Sequence, residues 1–222
     1  MTTYSGGSPV NAQELARSWA YTEGFPRESA VLTRARQAAE RLDASPVTPS
    51  VASLLTVLAA ATGAEHAVEV GCGAGVSTVA LLTGLRRGAA LTAIDIDSTR
   101  CQATRSLLTG AGLGSTHRVR VITGDAAQVL PRLSANSYDL AFIDAGADVA
   151  EQLVYDVLAL LEPGGLLLLH DPLAAGAVAN PTARDAVSVS LRTVLTEVAA
   201  CTDDVHVSLL HAGAGLFLVY KK

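Results

Sequence analysis

Lysine is almost absent from this sequence. Its 222 residues include two, Lys221 and Lys222, both at the very end, against fourteen arginines. A P-loop sets a lysine beside the phosphates it binds, and a Schiff-base enzyme needs one in its pocket. Both classes are excluded unless the C-terminal tail folds back over the site. Cysteine is scarce as well. Cys72, Cys101 and Cys201 are scattered, odd in number and form no metal-type pair. A reducing setting, the cytoplasm, is expected. No apolar run reaches the length of a membrane span, and the opening MTTYSGGSPV has neither the charged nor the apolar region of a signal peptide. Positive charge is lacking overall. The net charge is −5 and no basic stripe is visible, so neither nucleic acid nor membrane is an expected partner.

What is present is core-forming sequence. Half of the residues are hydrophobic and 17% are charged, which confines expected disorder to the ends. Residues 1–9 are small and polar and read as a flexible tail. Residues 11–23, 27–43 and 49–62 read as helices. In the second, Val31, Ala35, Ala38, Ala39 and Leu42 share one face. From residue 67 the rhythm changes. Apolar strand-like runs at 67–70, 91–96, 119–123, 138–144 and 166–170 alternate with helical stretches near 75–86, 98–111, 126–133 and 149–161. That alternation marks a parallel sheet with helices on both faces. After a helix near 183–200, the runs 205–210 and 215–222 read as an antiparallel hairpin. The expected fold is α/β: a seven-stranded, mostly parallel, Rossmann-like sheet with a C-terminal antiparallel hairpin. Residues 10–222 form one domain, with N-terminal helices over 10–62 and the core over 63–222.

The first strand runs into VEVGCGAGVST, where Gly71, Gly73 and Gly75 make a turn before a helix. In such sheets ligands sit beyond the carboxyl ends of the strands. A dinucleotide fingerprint wants its third glycine at position 76, which is Val. Glu69, two residues before the first glycine, would repel a pyrophosphate but suits an ammonium or sulfonium group. Asp95 ends the next strand, where a carboxylate accepts ribose hydroxyls. Gly124, Asp125 and Ala126 follow the third strand, placed to meet an adenine edge.

The ordered set VEVGCGAGVS, AIDID, GDAAQVLP, SYDLAFIDA and LLEPGGLLLLHD resembles the class I S-adenosylmethionine-dependent methyltransferases. Within them it is similar to the bacterial O-methyltransferases of the catechol and caffeoyl-CoA type, over roughly residues 30–222. The resemblance implies that Glu69, Gly71 and Gly73 contact the methionine part of S-adenosylmethionine, and Ser77 its carboxylate. It further implies that Val47 covers the methionine tail, Asp95 holds the ribose, Ile96 packs beside the adenine, and Asp125 and Ala126 meet its edge. Val47 and Ile96 read equally well as core residues.

Divalent members of that family hold Mg²⁺ with one Asp after the fourth strand and an Asp-Asn pair after the fifth. A Lys three residues after the first Asp assists deprotonation. By the resemblance Asp144 and Asp171 match the two aspartates. The Asn position is Pro172 and the Lys position is Ala147. Mg²⁺ wants several oxygen ligands, so the cage is incomplete and a metal is doubtful. Methyl transfer needs a positioned oxygen and a place for its proton. His170 is the economical replacement base, although it reads equally as a buried, hydrogen-bonded histidine. His66, His117, His206 and His211 read as structural or surface residues.

The expected activity is methylation of a small-molecule hydroxyl, phenol- or catechol-like, with Asp144, His170 and Asp171 as the catalytic candidates. Metal independence is part of that expectation. A cofactor-binding relative with little or no catalysis is the alternative. A nicotinamide oxidoreductase is disfavoured by Val76 and Glu69. Loops near 24–30, 145–150 and 172–183 would grip the acceptor. They are small and apolar apart from Arg27, Glu28, Asp148, Asn180 and Asp185, so no acceptor is specified. A homodimer is expected, as is common among the relatives.

Overall fold

The computed structural model describes residues 11–222, so the expected tail over 1–9 lies outside the described residues. Three helices come first, α1 (Ala12–Gly24), α2 (Ala30–Arg41) and α3 (Pro49–Thr62). β1 (His66–Val70), α4 (Val76–Gly84), β2 (Ala90–Asp95), α5 (Ser98–Gly110) and β3 (Arg118–Thr123) follow. Then come α6 (Ala126–Val129), β4 (Tyr138–Ile143), α7 (Ala150–Leu160), β5 (Leu161–His170), α8 (Ala186–Ala200), β6 (Val205–Leu210) and β7 (Leu216–Lys221). The sheet has seven strands in the order β3-β2-β1-β4-β5-β7-β6. The first five are parallel, and β7 pairs antiparallel with both β5 and β6. The chain order reverses between β1 and β4, the place where such sheets bind ligands.

Helices cover both faces, and the strands divide their side chains between them. Leu166 and Leu168 join one core with Ala67, Leu140 and Phe142, under α3 and α4. Leu167 and Leu169 join the other with Val68, Val70, Ala141 and Ile143, under α7 and α8. The run of leucines is therefore a strand buried on both faces, split by its period of two.

Several boundaries differ from the sequence reading. β5 begins at Leu161, directly after α7, although Glu162-Pro-Gly-Gly looks like a turn. Those residues bulge outward, and the register jumps from Tyr138↔Leu161 to Leu140↔Leu166. α2 starts at Ala30 rather than 27, because Ser29 is its N-cap and accepts a hydrogen bond from the Leu32 amide. The helix expected over 126–133 lasts one turn and continues as a 3-10 turn over Leu130–Arg132, where Pro131 removes an amide. α8 starts at Ala186, capped by Asp185. Ile96 is 75% exposed; it follows the end of β2, where no helix covers it, so the core reading of this residue is wrong.

Candidate active site

The glycine loop between β1 and α4 is shaped first by the chain itself. Gly71 has φ 90°, and a Cβ there would stand 2.0 Å from the Asp144 carbonyl oxygen. β1 and β4 are locked here by the Asp144 amide donating to the Val70 carbonyl at 2.8 Å. Gly71 is thus required by close backbone packing. Gly73, at φ 51°, meets nothing within 4 Å and leaves its side open.

Above this loop lies a cleft. Its floor is Gly71–Ala74, and its roof is the connection between α2 and α3. Val47, Gly71, Gly73, Ser77, Asp95 and Asp144 all line it. Cys72, Arg100 and the roof residues Ala44–Pro46 also line it, and sequence reasoning did not single them out. Cys72 lies in the glycine loop itself, whereas Arg100 and Ala44–Pro46 reach the cleft through tertiary packing, which nothing local marks. The cleft encloses about 80 Å³, below the roughly 300 Å³ at which small-molecule pockets begin, because the roof lies down on the loop.

Asp95 is 8% exposed. One carboxylate oxygen accepts the Gly73 amide at 2.8 Å, and the other accepts the Asp97 amide at 2.9 Å. A carboxylate has about four acceptor positions, so both oxygens keep capacity for hydroxyl donors. Glu69 lies one layer below the lining and is fully buried. Thr78 Oγ1 donates to its Oε2 at 2.6 Å, while Oε1 has no partner among the described residues. Burial pushes its carboxyl up to about 7. The charges of Asp144 and Asp95 add to that push, and the Ser77 and Thr78 hydroxyls oppose it. A buried acceptor without a donor is costly and fits a ligand that brings one.

Gly124, Asp125 and Ala126 stand beside β2 but outside the lining. The Gly124 amide donates to the Asp95 carbonyl at 2.9 Å, which ties this turn to the Asp95 end of the cleft. Asp125 caps α6 by accepting the Ala127 amide. Its carboxylate therefore has a structural task.

The register of β4 and β5 makes the second half of the site. Phe142 pairs with Leu168 and Ile143 with Leu169, so the next step sets Asp144 beside His170. His170 Nδ1 and Asp144 Oδ1 are 2.8 Å apart. His170 Nε2 is buried and has no partner among the described residues. Asp144 faces the cleft and His170 stands behind it, outside the lining. Asp171 leaves the strand with φ 49°. Its amide donates to the Gly215 carbonyl, and its Oδ1 accepts the Ala175 amide at 3.3 Å. The three catalytic candidates therefore do not form one cluster: Asp144 and His170 meet, and Asp171 turns into the following loop. Of the polar residues expected in the acceptor loops, Glu28 pairs with Arg36, Asp185 caps α8, and Asn180 bonds Thr182.

A divalent cation does not fit these donors. Asp144 is engaged by an imidazole, Asp171 by a backbone amide, and Pro172 has no side-chain oxygen. Among the described residues no three His, Cys, Asp or Glu side chains converge as a metal-holding group.

A seven-stranded sheet of this order, with the cleft at its reversal point, defines a Rossmann-like nucleoside-binding domain. The family model for O-methyltransferases matches residues 25–222, and the chain belongs to that family. It is 40% identical to an O-methyltransferase of Mycobacterium tuberculosis over 174 residues, 78% of this chain and 77% of the relative. A crystal structure of a Corynebacterium glutamicum protein superposes with a TM-score of 0.84 at 31% identity, covering 95% of this chain and 97% of that one. The O-methyltransferase TomG of Streptomyces achromogenes, of tomaymycin synthesis and solved with S-adenosylmethionine, has the same fold. Its TM-score is 0.83 at 24% identity, over 96% of this chain and all of that one.

Proposed function

We propose that this chain transfers a methyl group from S-adenosylmethionine to a phenol- or catechol-like hydroxyl of a small molecule, and that it needs no divalent metal to do so. The observation that carries the reading is the meeting of Asp95, the open Gly73 and Asp144 at one cleft, with the donor-seeking Glu69 one layer beneath it. The cofactor bound by TomG supports the choice of ligand. Asp95 takes the ribose hydroxyls, Glu69 and Ser77 the methionine end, Val47 its tail, and the 124–126 turn the adenine, with Ile96 beside it. The cofactor supplies an activated methyl on a sulfonium. The chain must hold the acceptor oxygen in line with it and take its proton. Asp144 faces that oxygen and receives the proton. His170 acts behind Asp144, holding the carboxylate in place through Nδ1. This assignment moves the base from His170, where it was first expected, to Asp144. Asp171 orders the loop that closes the acceptor side.

The test is a calorimetric titration with S-adenosylhomocysteine, followed by turnover on a panel of phenols and catechols with and without EDTA. Binding and EDTA-resistant turnover are expected, with turnover falling about 10²–10⁴-fold in Asp144→Asn. Binding without turnover on any acceptor would favour the non-catalytic relative, a reading supported by the losses at 147 and 172. Activity abolished by EDTA and restored by Mg²⁺ would overturn metal independence.

We also propose a homodimer. α1 is tied to the start of α3 through Glu23, which accepts from Thr48 and Ser50, but it buries none of its own side chains and exposes Leu15 and Trp19. Sedimentation velocity should show a dimer that Trp19→Lys dissociates.

A further inference from the structure

The roof of the cleft is held by side chains at one end and by backbone hydrogen bonds at the other. At one end Arg36, on α2, donates from Nη1 to the Val47 carbonyl at 2.7 Å. The same guanidinium is fixed by Glu28. Arg36 Nε donates to its two carboxylate oxygens at 2.8 and 2.7 Å, and Nη2 to Oε1 at 2.6 Å. Both side chains are largely buried, so the contact is a charge-assisted fork shielded from water. Val47 lies outside any helix, and Thr48 after it makes no side-chain cap to α3. The Arg36 fork is therefore a direct restraint on where Val47 sits. At the other end Asp43 has φ 48°. Its amide donates to the Glu40 carbonyl at 3.3 Å and the Ala44 amide to the Ala39 carbonyl at 2.9 Å, while Arg100 Nη2 reaches the Asp43 carbonyl at 3.5 Å, the outer limit of a hydrogen bond. Between these ends the roof lies down on the glycine loop and leaves little room beneath.

We propose that the Glu28–Arg36 pair is a positioning device for the cofactor. It anchors the Val47 end of the roof and so keeps Val47 settled against the bound ligand. The inference rests on reading the cleft as the S-adenosylmethionine site. Neither Glu28 nor Arg36 touches the cleft, and both act through the Val47 carbonyl. Losing the grip frees the covering residue without removing any group that contacts the ligand. The dissociation rate should therefore rise while the chemistry on bound ligand is spared.

The experiment is stopped-flow displacement of S-adenosylhomocysteine from the full chain, in wild type, Arg36→Met, Arg36→Lys and Glu28→Gln. Arg36→Met is expected to release the ligand about tenfold faster. The KM for S-adenosylmethionine should rise in parallel, and kcat at saturation should change much less. Arg36→Lys keeps one donor and should recover part of the effect. A folded Arg36→Met with the wild-type dissociation rate, or an Arg36→Lys as fast as Arg36→Met, would overturn the proposal. If Arg36→Met does not fold, Glu28→Gln carries the test, because it keeps size and one acceptor while weakening the fork. An unchanged rate there overturns the proposal equally. A wild type that fails to bind S-adenosylhomocysteine removes the cofactor reading first, and the inference falls with it.

Discussion

The two ends of the sheet each carry a hollow, and the candidate site residues gather at the smaller one. At the carboxyl ends of the parallel strands the cleft holds about 80 Å³. At the opposite end α7, α8 and the outer strands enclose about 340 Å³, lined by Tyr155, Leu158, Val198, Cys201 and Val205 among others. The larger cavity is apolar, and its polar rim is already occupied. Tyr155 donates to Glu197 at 2.6 Å, and Lys221 Nζ reaches the Leu161 carbonyl at 2.6 Å and the Leu158 carbonyl at 3.1 Å. The smaller cleft is lined by two carboxylates and a loop in left-handed backbone, and beneath it Glu69 keeps an acceptor unmet among the described residues. Volume follows from how helices splay. Polar groups that burial has left wanting a donor cost stability, and their gathering at one place marks a site.

The sharpest way to break that comparison is to attack the loop. Gly71→Ala drives a Cβ into the Asp144 carbonyl at 2.0 Å and strains φ 90°. A loss of more than about 4 kcal/mol is expected, with cofactor binding abolished. Gly73→Ala meets only the φ penalty, about 1–2 kcal/mol, and should stay folded. Thermal melts of the pair would show the split. Equal losses would mean that the β1–β4 contact does not set the loop.

Glu69 gives the next effect, and it depends on pH. Its folded carboxyl is pushed up to about 7, against an ordinary value of about 4.3. Between those values the folded state holds a proton that the unfolded state has lost. Stability therefore falls as pH rises from about 4 to about 7, and levels off above. The penalty is on the order of 3 kcal/mol. Glu69→Gln keeps an acceptor for Thr78 and abolishes the titration. It should match wild type near pH 4 and exceed it by up to that amount at pH 8, in urea melts across pH. It should also bind S-adenosylmethionine less tightly. A variant with the wild-type pH dependence would show that Glu69 is solvated. Asp95→Ala comes third. It removes the ribose acceptor, and affinity for S-adenosylhomocysteine should drop about 10–100-fold, roughly 1.5–3 kcal/mol.

Much of this was legible in the sequence, and the reason is local. Strand alternation, the glycine turn after β1 and an acid at the end of β2 are each encoded within a few residues. The same holds for the hairpin of β6 and β7. What escaped is encoded in register and packing. That Asp144 meets His170, and that Asp171 does not join them, follows from the pairing of β4 with β5, which no short stretch specifies. Glu162-Pro-Gly-Gly reads as a turn because its composition cannot say that a sheet continues through a bulge. Glu28 and Arg36 are eight residues apart across a loop and a cap, and Val47 is reached only once α2 and α3 are packed. The Arg100 contribution to the cleft is hidden for the same reason.

The smallest effect belongs to the far cavity and tests the comparison from its other side. Tyr155 and Glu197 join α7 to α8 at the rim, and the hydrogen bond pushes the phenol up to about 12, with burial adding less. The pair is exposed to water, so Tyr155→Phe should change stability by no more than about 0.5 kcal/mol. It should leave the affinity for S-adenosylhomocysteine unchanged, because the sheet separates this rim from Asp95, Glu69 and Asp144. One fewer tyrosine should then ionise near pH 12 in a spectrophotometric titration, which confirms that the intended group was removed. A shift in cofactor affinity would mean that α7 links the two hollows, since α7 also begins just after Asp144. The ends of the sheet would then form one responsive unit, and the apolar cavity would have a part in the chemistry.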